Sequence, residues 1–165
     1  MAPERQLVIM RHAKAGELPG GPDFERALRP RGRRNAESAG TWLAGQGLIP
    51  ELVVCSKARR TRQTWQYVST TLGGSPAVSI DQRLYQADAE DLLGILAETD
   101  PGVRTLMYVG HNPAVADLTE LLVDEPIGFP TAAIAVVGIT PEWSDLFTQT
   151  GSGELLATWT PQAEQ

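Results

Sequence analysis

Cysteine is almost absent from this chain of 165 residues: Cys55 is the only one, so no internal disulfide can form. A reducing cytoplasm is the expected setting. Histidine is nearly as scarce, with two copies, His12 and His111. Long apolar runs are missing too. The first candidate, residues 7–10, is too short for a signal-peptide core, and nothing approaches the roughly 20 residues that span a bilayer; no membrane association is expected. Neither GxxxxGK[ST] nor GxGxxG occurs, which leaves nucleotide folds of those kinds unsupported. A metal site would need a third ligand beside the two histidines, and no His/Cys/carboxylate cluster has metal spacing. The reaction is therefore expected to use no metal and no cofactor.

Basic residues are missing from most of the chain. Residues 1–62 hold 12 of the 14 Lys and Arg and 6 of the 20 acidic residues, a net +6, which leaves residues 63–165 at −12. The overall charge of −6 and the lack of any aromatic–basic stacking pattern argue against nucleic-acid binding. Most of the basic residues are Arg, whose planar fork suits phosphate or carboxylate. A solvated basic face beside an acidic half that favours solubility accounts for the charge equally well. What remains is ordinary: 42% hydrophobic and 21% charged residues, the composition and length of one soluble domain spanning 1–165.

Residues 5–10 predict a buried first strand. A Gly/Pro-rich loop follows from Ala13 to about Arg29. Pro30 fits the first turn of a helix, and Ala36, Ala39, Trp42 and Leu43 recur at helical spacing up to Gly45 or Gly47. Residues 52–55 predict a second strand and 58–72 a second helix, stopped by Gly73-Gly74. Residues 77–80 form a short extended piece. Asp88 caps a third helix with Leu92, Leu93 and Leu96 on its inner face. Residues 104–109 are the next central strand. Gly110-His111-Asn112-Pro113 then turns into a fourth helix, with Pro113 at its first position and Val115, Leu118, Leu121 and Leu122 facing inward. Residues 132–139 and 154–159 form a late strand pair joined by a turn-rich stretch. Strands alternating with helices argue for α/β layers and a largely parallel sheet.

Ligands bind beyond the carboxyl ends of the strands in such sheets. That rule selects Arg11-His12, residues 56–60 and His111. A lone histidine after a strand is usually a turn residue. Two at one sheet edge, with Arg11 adjacent and arginines at the exit of the next strand, suit phosphoryl transfer. A neutral imidazole attacks phosphorus, and positive groups hold the equatorial oxygens. Arg11 and one of Arg59, Arg60 and Arg62 would bind the phosphoryl oxygens, and a protonated His111 would add a third donor. Cys55 lacks the glycines of a cysteine-phosphatase loop and reads as a buried strand residue. Ser56 has no obvious base and reads as a cap or turn residue.

These segments resemble the histidine phosphatase superfamily, and within it the small SixA-like phosphohistidine phosphatases. Arg11-His12-Ala13 is similar to the family's Arg-His-Gly signature. Residues 26–32, Arg-Ala-Leu-Arg-Pro-Arg-Gly, resemble its Arg-Pro-Leu-Thr-x-x-Gly helix start. Residues 56–64, Ser-Lys-Ala-Arg-Arg-Thr-Arg-Gln-Thr, resemble Ser-x-x-x-Arg-Ala-x-Gln-Thr. Gly110-His111-Asn112-Pro113 resembles Gly/Ser-His-x-Pro, and residues 129–135 resemble the late Thr-x-x-Ile-Ala strand of the SixA-like branch. The resemblance implies a three-layer α/β/α sandwich of phosphoglycerate mutase-like fold, mostly parallel with a late antiparallel edge strand. It also implies His12 as nucleophile, Arg11 and Arg60 as phosphate ligands and His111 as the second catalytic histidine. Arg59 and Arg62 then become surface residues.

Ala13 stands where the family usually has Gly, and Lys57 where it often has Pro. Larger members carry a glutamate general acid after the second helix, and residues 83–87 offer none. Asp81 and Asp88 are the nearest carboxylates; helix capping is the simpler role for Asp88. An alcohol leaving group needs a proton, whereas a phosphorylated imidazole departs readily. The sequence therefore favours a phosphatase for protein phosphohistidine: a lidless, monomeric, cytoplasmic enzyme. A phosphomonoesterase for a small phosphorylated metabolite is the alternative within the same chemistry. A phosphate-binding regulatory module of low turnover is the alternative outside it, although all four catalytic residue types are present.

Overall fold

The computed structural model of the protein describes residues 4–140, 142–148 and 150–162. Its strands are β1 (Arg5–Arg11), β2 (Leu52–Ser56), β3 (Ala77–Asp81), β4 (Thr105–Gly110), β5 (Ile134–Ile139) and β6 (Glu154–Trp159). The helices are α1 (Pro30–Gly45), α2 (Arg59–Leu72), α3 (Ala89–Leu96) and α4 (Ala114–Val123). The sheet runs β3-β2-β4-β1-β5-β6. β3, β2, β4 and β1 are parallel, and β5 runs antiparallel to both β1 and β6. β5 thus lies inside the sheet and β6 closes that edge.

Period-two alternation divides the core between the two faces of the sheet. Leu7, Ile9, Leu106 and Tyr108 point to one face and pack under α3 and α4. Val8, Met10, Met107 and Val109 point to the other, under α1 and α2. β1 and β4 are neighbours in register from Gln6–Thr105 to Arg11–Gly110. The chain leaves β1 toward α1 on one face and leaves β4 toward α4 on the opposite face. Their carboxyl ends therefore form the topological switch point where a crevice opens.

Local chemistry explains the element ends. Asp88 and Asp91 form a reciprocal capping box at the start of α3. Pro113 precedes α4 as its N-cap residue, one position earlier than the sequence suggests. Leu121 is 38% exposed rather than inward, because α4 turns it past the apolar stripe of Val115, Leu118 and Leu122. The connection between β5 and β6 contains a 3-10 segment, Trp143–Thr148, whose Trp143 and Leu146 are buried.

Candidate active site

His12 is the first residue beyond β1. Its amide donates to the Gly110 carbonyl at the end of β4 (3.0 Å), and its carbonyl accepts from Ala132 (3.0 Å). The next amide, Ala13, donates to Thr64 Oγ1 on α2 (2.9 Å). The backbone around the imidazole is thus tied to three separate elements. The ring is buried, and burial pushes its pKa down to about 3. Nδ1 lies 2.8 Å from the Ala13 carbonyl. A carbonyl only accepts, so Nδ1 carries the proton and Nε2 carries the lone pair. Among the described residues Nε2 has no hydrogen-bond partner.

Arg11, His12, Lys14, Arg26, Arg60 and His111 line one cavity of about 260 Å³. The two arginines singled out by the sequence are held in the same manner. Arg11 Nη1 donates to the Phe129 carbonyl at 2.9 Å. Arg60 Nη1 donates to the Asp23 carbonyl and Nη2 to the Asp23 carboxylate, both at 3.0 Å. In each case Nε is buried and has no partner. Leaving such a donor unmet is costly, and an anion in the cavity is the partner it suits. Arg59 and Arg62 lie exposed on α2, with Arg62 bonded to the Lys57 carbonyl.

His111 follows β4, its ring 5.6 Å from that of His12. Its Nδ1 is 3.3 Å from Arg60 Nη2, and its Nε2 is 2.8 Å from Ser56 Oγ. Arginine only donates, so Nδ1 accepts and the Nε2 proton points to Ser56. Burial, then the charge of Arg60, lowers its pKa to about 4. His111 is therefore neutral in the free protein, and the third donor that the sequence reading attaches to its protonated form is absent there. Ser56 also accepts from the Ala58 amide (3.4 Å), so its turn role and its contact with His111 coexist.

Neither carboxylate suggested by the sequence is among the residues lining this cavity. Asp81 accepts from Arg83 at 2.8 Å, and Asp88 caps α3. A third carboxylate, Asp23, also lies outside that lining but bonds two residues of the cavity wall, Arg60 and Arg26. Asp23 belongs to a 3-10 turn in the loop after β1, Asp23–Glu25. It bonds Arg60, Arg26 Nε (3.0 Å) and the Tyr85 hydroxyl. These bonds, that from Tyr85 foremost, hold its pKa down at about 2. Asp23 lies in a long loop without periodicity, and Tyr85 is 62 positions away; the one signal available was an acid three residues before Arg26.

A family model describing the histidine phosphatase superfamily, branch 1, matches residues 7–105. The chain belongs to this superfamily. An uncharacterized protein of Mycobacterium tuberculosis is 34% identical over 148 residues, covering 83% of this chain and 91% of that protein. The structure of SixA from Nakamurella multipartitia superposes with a TM-score of 0.84 at 34% identity, covering 96% of this chain and 97% of that one. The protein histidine phosphatase SixA bound to tungstate superposes with a TM-score of 0.80 at 29% identity, over 94% and 97% of the two chains. The matched fold is phosphoglycerate mutase-like, a mostly parallel sheet with antiparallel strands at one side.

Proposed function

We propose that this histidine phosphatase acts on protein phosphohistidine through a covalent intermediate on His12. One observation carries the reading: a neutral imidazole with a free Nε2 shares a cavity with two anchored arginines whose buried Nε–H groups are unmet. Nε2 attacks phosphorus, the P–N bond of the substrate breaks, and its electron pair returns to the departing imidazole. Arg11 and Arg60 hold the equatorial oxygens. The arriving phosphoryl charge favours protonation of His111 at Nδ1; a protonated Nδ1 no longer accepts from Arg60 Nη2, so that contact opens and the N–H becomes available to the phosphoryl oxygens as a third donor. The Ala13 carbonyl keeps the proton on Nδ1 of His12 throughout. His12 therefore attacks, and later leaves, as a neutral imidazole. Water then takes the phosphoryl group, and both of its protons depart with the phosphate.

The choice of a P–N substrate rests on the carboxylates. Asp23 is ionised, and Asp81 and Asp88 are engaged elsewhere, so none stands ready to protonate an alkoxide. The tungstate-bound relative is itself named a protein histidine phosphatase. We also propose that the chain acts as a monomer in the cytoplasm, where buried Cys55 stays a thiol.

Trapping tests the intermediate. Brief exposure to a 32P-labelled phosphodonor is expected to give an acid-labile label on the wild type. His12→Ala is expected to lose both the label and roughly 10³-fold or more in turnover. A substrate panel tests the choice of donor. Faster hydrolysis of sugar phosphates than of a phosphohistidine peptide would favour the phosphomonoesterase, and phosphate binding without label or turnover would favour a binding module.

A further inference from the structure

We infer that the Asp23 carboxylate is the leaving-group subsite, accepting the ring N–H of the departing imidazole on the nitrogen that does not carry phosphorus. This rests on the phosphohistidine reading above and adds to it the residue that tells an imidazole from an alcohol.

The position fits. Asp23 bridges Arg60 and Arg26, both in the wall of the His12 cavity, yet its side chain is 52% exposed. Tyr85 stands edge-on to His111 with ring centroids 5.6 Å apart. Phe24 is partly exposed, and Lys57 Nζ lies 5.3 Å from the centroids of both Phe24 and Tyr85. Two aromatic rings, the Lys57 ammonium and one carboxylate thus cluster next to His111, Arg60 and Arg26 of the cavity wall, and the rings and the carboxylate suit a flat, weakly basic ring carrying an N–H.

The inventory of acceptors leaves room. A carboxylate offers about four lone-pair sites. Oδ2 takes Arg60 Nη2 and the Tyr85 hydroxyl, and Oδ1 takes Arg26 Nε. One site on Oδ1 remains, on a side chain that is half exposed. Because Asp23 is held ionised, it cannot give a proton to the leaving group; it can only keep one in place. Tyr85 has likewise committed its hydroxyl proton to Asp23.

That restriction is what an N-phosphorylated imidazole needs. With a proton on its distal nitrogen, it leaves as neutral imidazole once the P–N bond breaks, and no further proton is required. On the enzyme side the Ala13 carbonyl does the same for His12. Phosphorus therefore passes between two imidazoles, each with its remote N–H held by a fixed acceptor. An alcohol has no remote N–H and gains nothing from Asp23.

The test compares kcat/KM for a phosphohistidine peptide and for p-nitrophenyl phosphate, whose leaving group departs without a proton. Asp23→Asn is expected to lower the first by roughly 30-fold and the second by about threefold, the smaller loss coming from a loosened Arg60. Asp23→Glu, which keeps the charge, is expected to recover most of the phosphohistidine rate. Equal losses on both substrates would mean that Asp23 acts only through Arg60, and no loss on either would make it a bystander. Both results overturn the inference. A wild type that turns over p-nitrophenyl phosphate but never the peptide is a separate outcome, which removes the phosphohistidine reading itself.

Discussion

His12 and His111 are the two histidines of the chain, and both are held neutral by burial, with pKa values of about 3 and about 4. In the unfolded chain both titrate near 6.5. Between about pH 6.5 and pH 4 the unfolded state therefore binds protons that the folded state refuses. Stability rises with pH wherever the unfolded state holds more protons, so it is fully present above pH 6.5 and is lost as the pH falls. At pH 5 the loss is on the order of 2 kcal/mol for each histidine. Urea midpoints at pH 7, 6 and 5 measure it, and His111→Asn is expected to flatten the slope. Arg11, His12 and His111 were legible in the sequence because each adjoins a strand's carboxyl end. Arg60 needed the spacing from Ser56 to Thr64, since Arg59 and Arg62 carry the same charge one and two positions away. Asp23 was illegible because its role comes from contacts with Arg60 and Tyr85, 37 and 62 positions distant.

Elements were read more fully than side chains, because capping and periodicity are local. α1 begins at Pro30 and α3 after Asp88, where the sequence signals put them. The capping box at α3 also gives Asp88 a purely structural task. Asp88→Ala is expected to lower stability by about 1 kcal/mol and to leave turnover of a phosphohistidine peptide at the wild-type level; thermal unfolding and a rate assay together check this. Leu121 shows where periodicity fails: helical spacing places it beside Leu118 and Leu122, but only the partners of α4 decide how wide the buried stripe is. β5 and β6 were legible as a late strand pair joined by a turn-rich stretch, and the place of β5 between β1 and β6 is a tertiary fact.

At the scale of the molecule, the uneven charge of the sequence becomes a division between layers. α1 and α2 carry six arginines and one acidic residue, whereas α3 and α4 carry four acidic residues and no Lys or Arg. Exposed charges more than a Debye length apart are screened by salt, so association with a charged phosphoprotein is expected to be salt-sensitive. Raising ionic strength from about 0.02 to 0.3 M should lower kcat/KM for such a substrate several-fold and leave kcat almost unchanged. Stopped-flow and steady-state rates across a salt series distinguish the two parameters. The sheet separates the two helical layers, so the charge they carry amounts to a dipole moment along the sheet normal. The crevice between the ends of β1 and β4 receives one loop from each layer, and it therefore lies on the equator between the poles. A partner approaching in dilute salt feels a torque that turns the molecule before it feels the cavity.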